Sequence, residues 1–185
     1  SAASDVYKRQ LYHTVRFASR HLYNPCEIAM IQVQHRKGDT LMNFDPVSMP
    51  KIELHCHLDG SLSKEFLMQT LQLSTLDMHT IQAPVNCQSL AEYLTCFDLP
   101  VSALQEKEHI RDAVVDVVRQ AAAENVRYME IRFAPMLSVN SHLDLENVVQ
   151  AAVYGCQKAF DRYGVFTNLI LCAMRHHSPP VSYTH

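Results

Sequence analysis

The side chains best placed to do chemistry are His55 and His57, two imidazoles one residue apart in Ile52-Glu53-Leu54-His55-Cys56-His57. The run reads as a short strand. Successive strand side chains point to opposite faces, so the two histidines project the same way while Cys56 points into the opposite layer. Two imidazoles about 7 Å apart along a strand can converge on one ion, and neutral imidazole nitrogen is a good zinc ligand. Local chemistry alone leaves a second reading open. In a chain with 11 histidines a bare His-x-His also arises by chance or as two core histidines, because two ligands by themselves do not hold zinc.

The elements that must position the pair follow from periodicity. Leu58-Asp59-Gly60-Ser61 reads as the loop after the strand, and Ser63 as the cap of a helix through Phe66, Leu67 and Leu71. A second helix is expected from Ser89 to Phe97, where Leu90, Tyr93, Leu94 and Phe97 fall at i, i+3, i+4 and i+7 on one face. A third runs from about Glu106 to Glu124 with Ile110, Val114, Val117, Val118 and Ala121 at helical spacing. Val126 to Phe133 then alternates with period two and stops at Ala134-Pro135. A helix from Asp144 to Tyr163 closes at Gly164, and Val165 to Ala173 forms the last strand. Strand, helices, strand, helix, strand implies parallel crossovers, an α/β fold, and the C-terminal ends of parallel strands are where such folds carry their sites. Ile52 and Leu54 are expected to give the first strand its apolar contacts, and Glu130 and Arg132, on one strand face, to form a structural ion pair.

Composition narrows the class. The chain has 185 residues, 48% hydrophobic and 19% charged, which suits one ordinary globular domain. A formal net charge of −3 with both signs scattered leaves no basic stripe for phosphates, so nucleic acid is not an expected partner. No run approaches the roughly 18 apolar residues of a membrane span. Cys26, Cys56, Cys87, Cys96, Cys156 and Cys172 contain no Cys-x-x-Cys pair, and no secretory signal is present, so reduced thiols and a cytoplasmic location are expected.

Met49-Pro50-Lys51-Ile52-Glu53-Leu54-His55-Cys56-His57-Leu58-Asp59-Gly60-Ser61-Leu62 resembles the first-strand segment of the adenosine and AMP deaminase family. Val126 to Pro135 resembles that family's second strand and Leu169 to His176 its third, so the likeness covers about Met42 to Pro179. The resemblance implies about the first three βα units of a TIM-type (β/α)8 barrel. It implies one Zn2+ per subunit with His55 and His57 among its ligands, His57 also beside the substrate, and Asp59 contacting a ribose. Family members acting on free adenine tend to carry Glu where Asp59 stands, and the shorter carboxylate leaves room for the sugar; Asp59-Gly60 also reads simply as a turn. Leu90, Tyr93, Leu94 and Phe97 resemble a hydrophobic lid over the nucleoside, and the same stripe also fits a core face.

The implied reaction is hydrolytic deamination of adenosine and deoxyadenosine to inosine and ammonia, zinc lowering the pKa of water near to neutrality. The expected partner is a small-molecule purine nucleoside, and the parent protein is expected to be a monomer or weak oligomer. The family's third zinc histidine, its ring-protonating glutamate, its orienting histidine and its zinc-ligating aspartate come from later strands, so this chain is expected to be inactive alone. The alternatives are a deaminase of adenine or a modified adenine nucleotide, and an inert partial fold. Ser1 to Gln10 and Val181 to His185 resemble translated sequencing-adapter ends. Lys37-Gly38-Asp39 can be encoded by a ribosome-binding-like string just before Met42, so residues 1–41 are expected to be a non-native lead, 42–180 the barrel part and 181–185 a foreign tail. An Arg-rich targeting peptide over Lys8 to Arg20 is the competing reading.

Overall fold

A computed structural model describes residues 47–174; the expectations for residues 1–41 and 181–185 lie outside them. Strand β1 covers Lys51–His57, followed by helices α1 (Lys64–Thr70), α2 (Leu90–Leu94), α3 (Asp98–Ser102) and α4 (Lys107–Ala123). Strand β2 covers Val126–Phe133, helix α5 Leu145–Tyr163 and strand β3 Phe166–Leu171. The strands form a parallel sheet in the order β1-β2-β3, so two complete crossovers and a third strand are described. This is the expected α/β alternation.

The core lies between one sheet face and the two long helices. Met129, Ile131 and Phe133 on β2 are buried with Ile110, Val114 and Val118 of α4 and with Val148, Ala152 and Ala159 of α5. Each fully buried Val, Ile or Met there contributes about 1.5–3 kcal/mol. Helices α4 and α5 run against each other at Gly155, where a Cβ would lie 2.7 Å from the Arg111 carbonyl oxygen and 2.8 Å from Val114 Cβ. Only a residue without a side chain permits that approach.

The helix ends follow the local chemistry. Ser63 Oγ accepts from Phe66 N at 3.1 Å and Asp144 Oδ1 from Asn147 N at 2.8 Å. Gly164 closes α5 at φ +66°, in the left-handed region that favours glycine.

Two expectations need correction. The helix expected from Ser89 to Phe97 is broken: α2 stops at Leu94 and a 3-10 turn over Thr95–Phe97 leads into α3. Pro100 supplies the reason, since it has no N–H for the Cys96 carbonyl and its ring crowds that carbonyl. Ile52 and Leu54 are 69% and 57% exposed, not packed. They stand on β1, an outer strand of the described sheet, where α4 and α5 do not cover them. Among the described residues all five cysteines are free thiols, and no helix is long and apolar enough to cross a membrane.

Candidate metal centre

The strand that carries the two histidines is irregular where they stand. Glu53 pairs with Met129 and Cys56 with Ile131, so β1 advances three residues while β2 advances two. The extra residue makes a bulge, a device that re-aims side chains. His55 N donates to Glu53 Oε1 at 2.9 Å. The rings of His55, within the bulge, and His57, just beyond it, stack with centroids 5.2 Å apart, and their Nε2 atoms lie 3.2 Å apart. Two nitrogens bound at about 2.0–2.1 Å to one tetrahedral ion are roughly 3.3 Å apart. The pair therefore fits two corners of a zinc site. Among the described residues no group of three or more His, Cys, Asp or Glu converges, so these two donors make only part of one.

The surroundings keep His57 uncharged. Its side chain is 34% exposed, and burial, then electrostatic repulsion from His55 and Arg132, push its pKa down to about 4. At neutral pH it is an imidazole with a lone pair to offer. Cys56 points away, as the strand alternation requires; its Sγ donates to Ser61 Oγ at 3.4 Å, and burial pushes the thiol up to about 12.

Asp59 follows at the mouth of the strand, its Oδ1 4.0 Å from His57 Nδ1 and its side chain 16% exposed. Burial raises its pKa to about 6 against the lowering effect of the Asp59 and Gly60 backbone N–H groups. Asp59 Oδ1 is buried without a hydrogen-bond partner among the described residues. Such an acceptor is matched to a donor from elsewhere, a ligand hydroxyl or amine being the simplest.

Arg132 is the residue sequence reasoning placed wrongly. The expected Glu130–Arg132 pair is not made: Glu130 Oε1 accepts from Tyr128 Oη at 2.9 Å, and Arg132 Nη1 lies 3.3 Å from His55 Nε2. The register explains this, because Arg132 stands opposite His57 and reaches across the strands instead of along its own. Its Nε, like Asp59 Oδ1, is buried without a partner among the described residues. Period-two alternation puts Arg132 on the inner face, but only the strand order sets it beside the histidines.

Of the apolar stripe, Phe97 reaches the site most directly. A Cβ on Gly60 would lie 3.2 Å from Phe97 Cε1 and 3.5 Å from His57 Cβ, so the Phe97 ring rests on the loop beside His57. Tyr93 is buried and meets Phe97 edge-on at 5.4 Å. Leu90 and Leu94 are open to solvent on the same helix.

A family model described as adenosine deaminase matches residues 50–184. The adenosine deaminase of Vibrio atlanticus (strain LGP32) is 37% identical over 140 residues, which are 71% of this chain and 42% of that protein. The chain thus spans about two fifths of the length of such relatives. The crystal structure of the Arabidopsis N6-mAMP deaminase is similar with TM-score 0.59 and 26% identity, over 73% of this chain and 44% of that one. An amidohydrolase from Burkhoderia ambifaria, solved with bound Zn, has TM-score 0.61 at 20% identity over 78% of this chain and 42% of its own, a likeness of fold alone. The family match runs through β1, β2 and β3, and the three parallel strands with their helical crossovers are the opening part of a TIM-type barrel. By that match, over well more than half of its length, the chain belongs to the adenosine deaminase family.

Proposed function

We propose that this chain carries two zinc ligands and part of the nucleoside-binding face of a hydrolase that converts adenosine and deoxyadenosine to inosine and ammonia. The observation that carries the reading is the convergence of His55 and His57 Nε2 to 3.2 Å at the end of a parallel strand. Zinc, when bound, supplies a nucleophile at neutral pH by lowering the pKa of water. His55 and His57 hold the ion, and the depressed pKa of His57 keeps that imidazole available to it. Asp59 Oδ1 accepts from a ribose hydroxyl, which gives its buried lone pairs a partner. Phe97, backed by Tyr93, covers the base, with Leu90 and Leu94 extending the apolar surface. Because no third donor converges among the described residues, the activity is proposed for the whole protein and not for this chain alone. That protein is proposed to act in the cytoplasm on a small purine nucleoside, as a monomer or weak oligomer. A second substrate, a modified adenine nucleotide, is favoured by the likeness to the N6-mAMP deaminase.

Metal analysis beside thermal melts of His55→Ala, His57→Ala and the double variant, made in the whole protein, tests the assignment. The expected products are folded, zinc-poor and inactive. Two histidines serving only the core predict the reverse, a stability loss of about 1–3 kcal/mol with unchanged metal content. Full zinc occupancy in the double variant would end the deaminase reading.

A further inference from the structure

Asp116, on α4, is a carboxylate only 8% exposed, and the described function does not use it. Its Oδ2 accepts from Ser63 N at 2.8 Å and from Gln120 Nε2 at 3.0 Å. Its Oδ1 accepts from Ser63 Oγ at 2.8 Å and from Arg119 Nη2 at 2.7 Å. Four donors fill a carboxylate's capacity. Gln120 Nε2 also reaches the Ser61 carbonyl at 3.0 Å. Helix α4 thereby grips two residues of the loop that follows β1.

Capping α1 does not need this apparatus. Ser63 Oγ alone accepts from Phe66 N, as an N-cap does. Burying a carboxylate is costly, and such groups often fix one arrangement more than they add stability. The arrangement fixed here is that of residues 58–63. At one end Leu58 N donates to the Arg132 carbonyl at 2.9 Å, and at the other Ser61 and Ser63 are held by Gln120 and Asp116. Asp59 and Gly60 ride between those anchors. Asp59 Oδ1 lies 4.0 Å from His57 Nδ1, and Gly60 presses close to His57 Cβ and the Phe97 ring.

We propose that Asp116, assisted by Gln120, is a positioning residue: it holds residues 58–63 so that the His57 ring stays stacked against His55 with both Nε2 atoms convergent. The proposal deepens the metal-site reading and rests on it for its purpose, not for its geometry.

The test uses the 185-residue chain with Asp116→Ala, Gln120→Ala and, as a control that loosens the helix pair without removing a contact to residues 58–63, Gly155→Ala. Three quantities are read: the nuclear Overhauser cross-peak between the His55 and His57 rings, amide exchange at Gly60 and Ser61, and affinity for added Co2+. In Asp116→Ala, folded by circular dichroism, loop exchange should accelerate at least about tenfold relative to α5. The ring cross-peak should weaken and Co2+ should bind about tenfold more weakly, as expected for groups that orient ligands from behind. Gln120→Ala should move the same readouts to a smaller extent, and decides the matter if Asp116→Ala does not fold. Gly155→Ala should lose stability and leave all three unchanged. A ring cross-peak unaltered in a folded Asp116→Ala or Gln120→Ala chain overturns the proposal, as do equal losses in Gly155→Ala. If the parent chain takes up no Co2+, its two donors alone do not hold the ion, and cross-peak and exchange still decide whether Asp116 positions His57.

Discussion

Substituting Gly155 by Ala asks whether the helix pair over the sheet is as tightly set as its geometry says. The added Cβ would stand 2.7 Å from the Arg111 carbonyl oxygen and 2.8 Å from Val114 Cβ. The first obstacle is backbone and the second the root of a buried side chain, so neither moves by a simple rotamer change. The helices must separate by roughly half an ångström or more, loosening the contacts of Val114, Val118, Val148 and Ala152. Overpacking of this kind costs about 1–3 kcal/mol, and backbone obstruction places Gly155 in the upper half of that range. Alanine's better helix propensity returns about 0.8–1 kcal/mol. A net loss of about 1–2 kcal/mol should appear as a lower urea midpoint with unchanged slope, followed by far-ultraviolet circular dichroism. Propensity alone predicts the opposite sign, so an unchanged or raised midpoint would refute the packing argument.

Two further outcomes concern the site. His57, with its folded pKa near 4 against 6.5, contributes stability present above pH 6.5 and lost as pH falls through 4, roughly 1–2 kcal/mol after allowing for its exposure. Asp59 acts oppositely: with its pKa raised from 3.8 to about 6, its contribution is full below pH 3.8 and lost as pH rises through 6, about 2–3 kcal/mol. The two oppose each other with Asp59 the larger, so Asp59→Asn should turn a profile of melting temperature that is flat or falling between pH 4 and 6 into one that rises with pH; an unaltered profile contradicts the buried environment of Asp59. In the whole protein Phe97→Ala should weaken purine nucleoside binding by about 1–3 kcal/mol through lost aromatic burial, measured by calorimetric titration of the metal-loaded protein with adenosine. Unchanged affinity with a lowered melting temperature would confine Phe97 to packing on Gly60.

What could be read from the sequence was what depends on neighbours along the chain. The alternation of Val126 to Phe133, the cap Ser63 and the stop at Gly164 are local, and the structure has each where it was expected. The projection of His55 and His57 to one face is local as well. The bulge after Glu53 is not, because it exists only relative to β2, and it shapes the strand from which the two imidazoles converge. Arg132 beside His55 depends on strand order, and Asp116 beneath Ser63 on a contact spanning 53 positions. Asp116 falls on the same helix as polar residues that do face outward, so periodicity gave no sign of its burial. Ile52 and Leu54 show the converse limit: apolar identity says that a side chain can be covered, while only the surrounding elements decide whether it is.

The parallel pairing of β1 with β2 also dictates when the histidine pair acquires its shape. His55 and Arg132 are 77 positions apart, and no turn can bring their strands together early. Closing a loop of that length costs on the order of 4 kcal/mol in chain entropy before any pairing repays it. Until β2 docks, residues 51–57 lack the ladder that defines the bulge, and the imidazoles sample many separations. The convergence of the two imidazoles is therefore a late product of folding, and any ion that prefers the finished arrangement would stabilise only the state in which strands distant in sequence have already met.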